Sequence, residues 1–164
     1  MPQSRKILIT GHPGIGKTTI IKKVIENLQR NGFDVCGFYT EEIRENNKRA
    51  GFKIIGLDGS CGILAHINFK SNYRVGRYFV KLSALEECIA QIPGSGILVI
   101  DEIGKMEMFS KKFKNFVDRI LNEEGIVIAT IGEKFVHKFG KNSEVLEVTP
   151  NNRNLMPGII FNKI

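Results

Sequence analysis

The 164 residues make room for one domain, since single domains run to roughly 100–200 residues, and a chain of this size buries about two thirds of its unfolded surface. A composition of 42% hydrophobic and 25% charged residues excludes disordered, collagen-like and coiled-coil classes. The 24 Lys and Arg against 17 Asp and Glu leave a net charge of +7, which points the surface toward anionic partners: nucleotides, nucleic acid or anionic lipid.

In chain order, Lys6-Ile7-Leu8-Ile9-Thr10 is a β-branched apolar run that stops at Gly11, the pattern of a central strand covered on both faces. Beyond a glycine-rich turn the period changes. Ile20, Ile21, Val24, Ile25 and Leu28 recur at helical spacing, with Asn31-Gly32 as the stop. Val35 to Tyr39 reads as the next strand and completes a β-α-β unit, whose crossover is right-handed by rule. Phe52 to Leu57 and Ile63 to Ile67 flank Asp58-Gly59, which predicts an antiparallel hairpin at one edge of the sheet.

Tyr78-Phe79-Val80 is a further short strand, and Leu85, Cys88, Ile89 and Ile92 mark a helix that ends before Pro93-Gly94. Ile97 to Ile100 is the most strand-like segment, ended by Asp101-Glu102. Phe109, Phe113, Phe116, Val117, Ile120 and Leu121 follow at three-and-four spacing and predict a helix from about Ser110, its N-cap, to Glu123. Ile126 to Ile131 is a strand, Glu133 to Lys138 a short helix, and Glu144 to Val148 a final strand. This alternation predicts an α/β fold: a mostly parallel sheet flanked by helices, with an antiparallel edge hairpin, in one domain over 1–164.

No stretch of about 18 apolar residues occurs, and Met1-Pro2-Gln3-Ser4-Arg5-Lys6 leads into only a short apolar run. The expectation is therefore neither a membrane span nor a signal peptide, and a cytoplasmic chain. Cys36, Cys61 and Cys88, odd in number and without a CxxC, read as reduced structural thiols.

Gly11-His12-Pro13-Gly14-Ile15-Gly16-Lys17-Thr18 fits G-x-x-x-x-G-K-[ST], with a strand before it and a helix after it. The glycines let successive backbone N–H groups converge, and the helix start adds its positive dipole end, so the turn suits phosphate oxygens. Lys17 is expected to reach the β- and γ-phosphates and the Thr18 hydroxyl to ligate Mg²⁺, and Thr19 joins the candidate binding set. Asp101 would hold the metal, and Glu102, turned to another side of the strand end, would align and deprotonate a water.

Phosphoryl transfer also calls for a cation on the γ-phosphate, and the candidates are Arg74, Arg77, Lys105 and Arg153. Glu107 is either a second polar contact or a surface acid. Asn152 could pair with a base edge and Arg153 stack on a base, a loop-capping role having equal claim. Lys111, Lys112, Lys114 and Lys138 read as solvated helix faces without the aromatic interleaving of a nucleic-acid surface.

Several segments occur together and in order: the 11–18 loop, Gly37-Phe38-Tyr39-Thr40-Glu41-Glu42-Ile43-Arg44, Arg49-Ala50-Gly51-Phe52, Val75-Gly76-Arg77-Tyr78, Asp101-Glu102-Ile103-Gly104-Lys105-Met106-Glu107 and Asn152-Arg153-Asn154. In them the chain resembles, over nearly its whole length, the small nucleoside-triphosphatase family that includes thermophile enzymes and the animal cancer-related nucleoside triphosphatase. The resemblance implies a P-loop NTPase sheet of the RecA-like group and Mg²⁺-dependent hydrolysis of nucleoside triphosphates with broad base tolerance. It also implies nucleotide contacts along Leu98, Val99, Ile100, Asp101, Glu102, Ile103, Gly104 and Lys105. The expected partner is a nucleoside triphosphate and the expected state a monomer. Two other readings stay open: a small nucleotide or nucleoside kinase, and a nucleotide-switched RNA-binding module.

Overall fold

In a computed structural model that describes residues 3–164, nine strands form one sheet. The strands are β1 (Arg5–Thr10), β2 (Val35–Glu45), β3 (Lys48–Gly56), β4 (Cys61–His66), β5 (Arg74–Val75), β6 (Tyr78–Val80), β7 (Ile97–Ile103), β8 (Ile126–Ile131) and β9 (Glu144–Glu147). The helices are α1 (Lys17–Arg30), α2 (Leu82–Ala90), α3 (Lys111–Asn122), α4 (Glu133–Phe139) and α5 (Met156–Phe161). The strand order is β5-β6-β4-β3-β2-β7-β8-β1-β9.

From β2 to β9 every pairing is parallel, so the C-terminal ends of β2, β7, β8 and β1 open on one edge. From β2 outward every pairing is antiparallel. The antiparallel part is thus larger than the hairpin around Asp58-Gly59. It recruits β6 and β5, and β2 itself runs on to Glu45 and turns back through Asn46-Asn47, both at positive φ. The β1-α1-β2 unit is a parallel crossover, but β7 and β8 lie between its two strands.

Alternation along the central strands sends side chains to two cores. Ile7, Ile9, Val99 and Ile128 pack under α1 and α5, whereas Leu8, Leu98, Ile100 and Ala129 pack with the apolar residues of α2, α3 and α4. β2 and β7 approach closely at Gly37, where φ is +117° and any Cβ would collide with the Val99 carbonyl. No helix among the described residues is long and apolar enough to cross a membrane.

α3 buries Phe113, Phe116, Val117 and Ile120 of the periodic set, whereas Leu121 is half-buried and Phe109 lies exposed in the turn before the helix. Ser110 caps it: the Ser110 Oγ accepts from Phe113 N at 3.1 Å and donates to Glu86 Oε1 at 2.8 Å, tying α3 to α2. Ser110→Ala is expected to cost about 1–2 kcal/mol, a fall of roughly 2–8 °C in thermal midpoint. A melt within 1 °C of the parent, by about the same scale, would show that the cap does not hold the helix.

Candidate functional site

The residues of the 11–16 turn separate the end of β1 from the start of α1. Gly14 and Gly16 take positive φ, +80° and +111°, a region that only glycine enters freely. Gly16 is also the N-cap of α1, so the helix begins with no side-chain cap and no acid in its first turn. The first N–H groups of a helix have no intrahelical partner, and those of α1 follow directly on the turn with no side chain capping them. Lys17 Nζ donates to the Gly11 carbonyl at 2.8 Å and closes the turn on itself.

Asp101 stands in β7, one strand removed from β1 because β8 lies between them, and is 2% exposed. Ile97 and Val99 of β7 pack under α1, and Asp101 continues that alternation toward Thr18, whose Oγ1 donates to Oδ2 at 2.8 Å. Thr130 Oγ1, from β8, donates to Oδ1 at 2.6 Å, and Thr40 N and Oγ1, from β2, make longer contacts of 3.4 Å to Oδ2. Hydroxyls from three elements therefore fix this carboxylate. Thr18 and Asp101 are hard oxygen donors close enough to share a small cation such as Mg²⁺. No group of three or more His, Cys, Asp or Glu among the described residues is arranged to hold a metal. Mg²⁺ needs no such cage, since it takes one or two protein oxygens with water and phosphate.

Glu102 follows across a cis peptide, and the β7–β8 register shifts between Ile100 and Ile103. Its carboxyl lies against Gly104, where a Cβ would come 2.5 Å from Glu102 Oε1 and 3.0 Å from Glu107 Oε2. Burial and the neighbouring Asp101 push the Glu102 carboxyl up, with Lys17 pulling the other way. Glu107, in a 3-10 turn over Glu107–Phe109, is 4% exposed and no surface acid. Burial, reinforced by Glu102, drives it well above the usual carboxylate range.

The remaining candidates divide. Lys105 is exposed just past the end of β7, on the rim of the site. Arg77 is not brought to the loop: it donates to the Arg49 carbonyl and lies over the Tyr78 ring on the antiparallel side. Arg49 pairs with Arg44, four residues beyond Thr40, or about 13 Å further along the strand. Arg74 is likewise spent there, on the Gly76 carbonyl and the Phe79 ring. Asn152 uses its side-chain amide on its own loop, accepting from Thr149 N at 2.8 Å and donating to the Glu147 carbonyl at 2.9 Å, so its base-pairing edge is committed. Arg153 stays exposed in that loop, which follows Val148, itself packed on Gly11. His12, Pro13 and Thr19 are exposed around the turn, Ile15 is half-buried, and Leu98, Val99, Ile100 and Ile103 are buried strand residues rather than surface contacts.

Sequence reasoning missed Thr130 and Thr40. A lone hydroxyl near the end of the apolar run Ile126-Val127-Ile128-Ala129-Thr130-Ile131 was the available signal for the first. Nothing in the sequence gives the β8–β7 register that brings it to Asp101.

A family profile described as NTPase matches residues 6–161. The nucleoside-triphosphatase THEP1 of Thermotoga sp. (strain RQ2) is 48% identical over 159 residues, covering 91% of this chain and 89% of the relative. The crystal structure of THEP1 from the hyperthermophile Aquifex aeolicus superposes with a TM-score of 0.84 at 35% identity, covering 96% of this chain and 98% of that one. The solution structure of a human cancer-related nucleoside triphosphatase gives 0.81 at 35% identity, covering 98% and 97%. With its glycine-rich turn, its strand-end acids and this likeness along almost its full length, the chain belongs to the NTPase family.

Proposed function

We propose that this chain hydrolyses nucleoside 5′-triphosphates to the diphosphate and phosphate, with Mg²⁺ as cofactor. The observation that carries the reading is the Thr18–Asp101 contact of 2.8 Å, which sets an uncapped, glycine-built helix start against a strand end bearing two acids. The names of the relatives, nucleoside triphosphatases, point the same way.

In this reading the turn and Lys17 bind the triphosphate and orient it along α1. Thr18 and Asp101 would hold Mg²⁺, which when bound supplies positive charge to the β- and γ-oxygens. Thr130 and Thr40 keep the Asp101 carboxylate in one orientation. Glu102 receives the proton of a water as its oxygen bonds to the γ-phosphorus. The bond from that phosphorus to the β–γ bridging oxygen breaks, and the diphosphate leaves with the electron pair. Lys105 offsets charge on the γ-phosphate.

The test is a phosphate-release panel across ATP, GTP, CTP and UTP, with and without Mg²⁺ and with no acceptor added. Mg²⁺-dependent release from all four is expected. Strict dependence on an added nucleoside would replace the reading with a kinase.

A further inference from the structure

The neighbourhood of Lys105 holds a second cation. β7 and β8 are in register at Ile103 and Ile131, and Gly132 N donates to the Ile103 carbonyl at 3.0 Å, so the chain leaves both strands side by side. Lys105 follows one strand end by two residues and Lys134 follows the other by three. Both side chains are exposed at these neighbouring strand ends, and the nearby charge of Lys134 lowers the pKa of Lys105. Two like charges brought together repel, and an anion between them would turn that repulsion into attraction for both.

The flanks of this pair identify the anion. On one side Glu133, next to Lys134, reaches His12 of the phosphate loop, with Oε1 3.7 Å from Nδ1. On the other, Gly104, next to Lys105, touches the Glu102 carboxyl. The chain at Lys134 therefore runs beside the turn that would take the phosphates, and the chain at Lys105 beside the acid that would take the water's proton. In a bound triphosphate the group between those points is the terminal phosphoryl, whose oxygens gain charge in the transition state. Arg77 and Arg74 are engaged on the antiparallel side of the sheet, so neither stands with the lysines at this rim.

We propose that Lys134 is a catalytic residue that clamps the γ-phosphate together with Lys105. The assignment rests on the reading of the 11–18 loop as a triphosphate site and adds a specific contact to it. It gives the enzyme a built-in substitute for an arginine supplied by a partner, from two elements that no motif links. Lys134 touches only the terminal phosphate, so a nucleoside diphosphate should not sense it.

The experiment compares Lys134→Ala, Lys134→Arg and Lys138→Ala with the unsubstituted protein. It reads kcat for Mg²⁺-ATP, the Kd for ADP and the thermal midpoint. Lys138 lies one turn along the same helix, over the Phe139 ring, and controls for loss of one positive charge. Lys134→Ala is expected to lower kcat about ten- to hundredfold, the usual worth of a charged hydrogen bond, with ADP affinity and melting unchanged. Lys134→Arg should recover most of the rate and Lys138→Ala should keep all of it. A Lys134→Ala kcat at the parent value, an equal loss in Lys138→Ala, or a parallel loss of ADP affinity would each overturn the assignment. Absence of phosphate release from the unsubstituted protein would instead remove the triphosphatase reading beneath it.

Discussion

Lys17→Ala is expected to abolish nucleotide binding at ordinary concentrations while leaving the fold intact. Lys17 is half-buried at the first position of α1, and its ammonium sits inside the turn, bonded to the Gly11 carbonyl. The substitution removes the only full positive charge within the loop and the bond that closes it. Two charge-assisted contacts to phosphate, each about 1.5–3 kcal/mol, correspond to a loss of roughly 10²–10⁴ in Kd. Alanine is a better helix former than lysine, so α1 keeps its start. Titration with a fluorescent triphosphate analogue, beside a circular dichroism spectrum, reads both halves. An affinity within about threefold of the parent, under 1 kcal/mol, would remove Lys17 from the binding set.

Glu102→Gln should separate the two functions of the site, keeping nucleotide affinity and losing turnover. Glutamine matches the shape of glutamate and still fits against Gly104, but it cannot take a proton from water. General-base catalysis is worth about 10²–10⁴, and the single-turnover rate is expected to fall by that factor. The Thr18–Asp101 pair is not altered, so triphosphate should bind as before and accumulate unhydrolysed. Phosphate release at the parent rate would mean that another group, or the γ-phosphate itself, accepts the proton.

Most of the parallel half of the fold was legible because β1, β7 and β8 are nearly continuous apolar runs and α1 and α3 repeat at three-and-four spacing. Ile97-Leu98-Val99-Ile100 and Phe113, Phe116, Val117, Ile120 leave little choice. The antiparallel half was harder. Beyond Tyr39, β2 reads Thr40-Glu41-Glu42-Ile43-Arg44, with little to mark a strand. What holds it lies across the ladder, where Arg49 meets Glu42 at 2.6 Å and Lys53 meets Glu41 at 3.3 Å. α5 escaped for a different reason. Met156-Pro157-Gly158 looks like a helix breaker, yet proline is tolerated in a first turn and the helix is held by packing on α1. At the site, the linear motif carried Lys17, Thr18, Asp101 and Glu102. The Thr130–Asp101 bond and the nearness of Lys105 to Lys134 depend on which strands are neighbours, and strand order is a property of the whole chain.

The glycine that opens α1 has a thermodynamic side as well. A helix whose first turn has no cap of its own is stabilised by whatever anion occupies it, so the ligand is in effect part of the fold. For a ligand that binds only the native state, a free concentration of 100 times Kd adds about 2.7 kcal/mol to stability. That is a substantial share of the roughly 5–15 kcal/mol by which domains are folded. If the turn takes a triphosphate as proposed, nucleotide supply would then be linked to the protein's abundance in a cell, with depletion exposing more of the chain to proteolysis before any change in its synthesis.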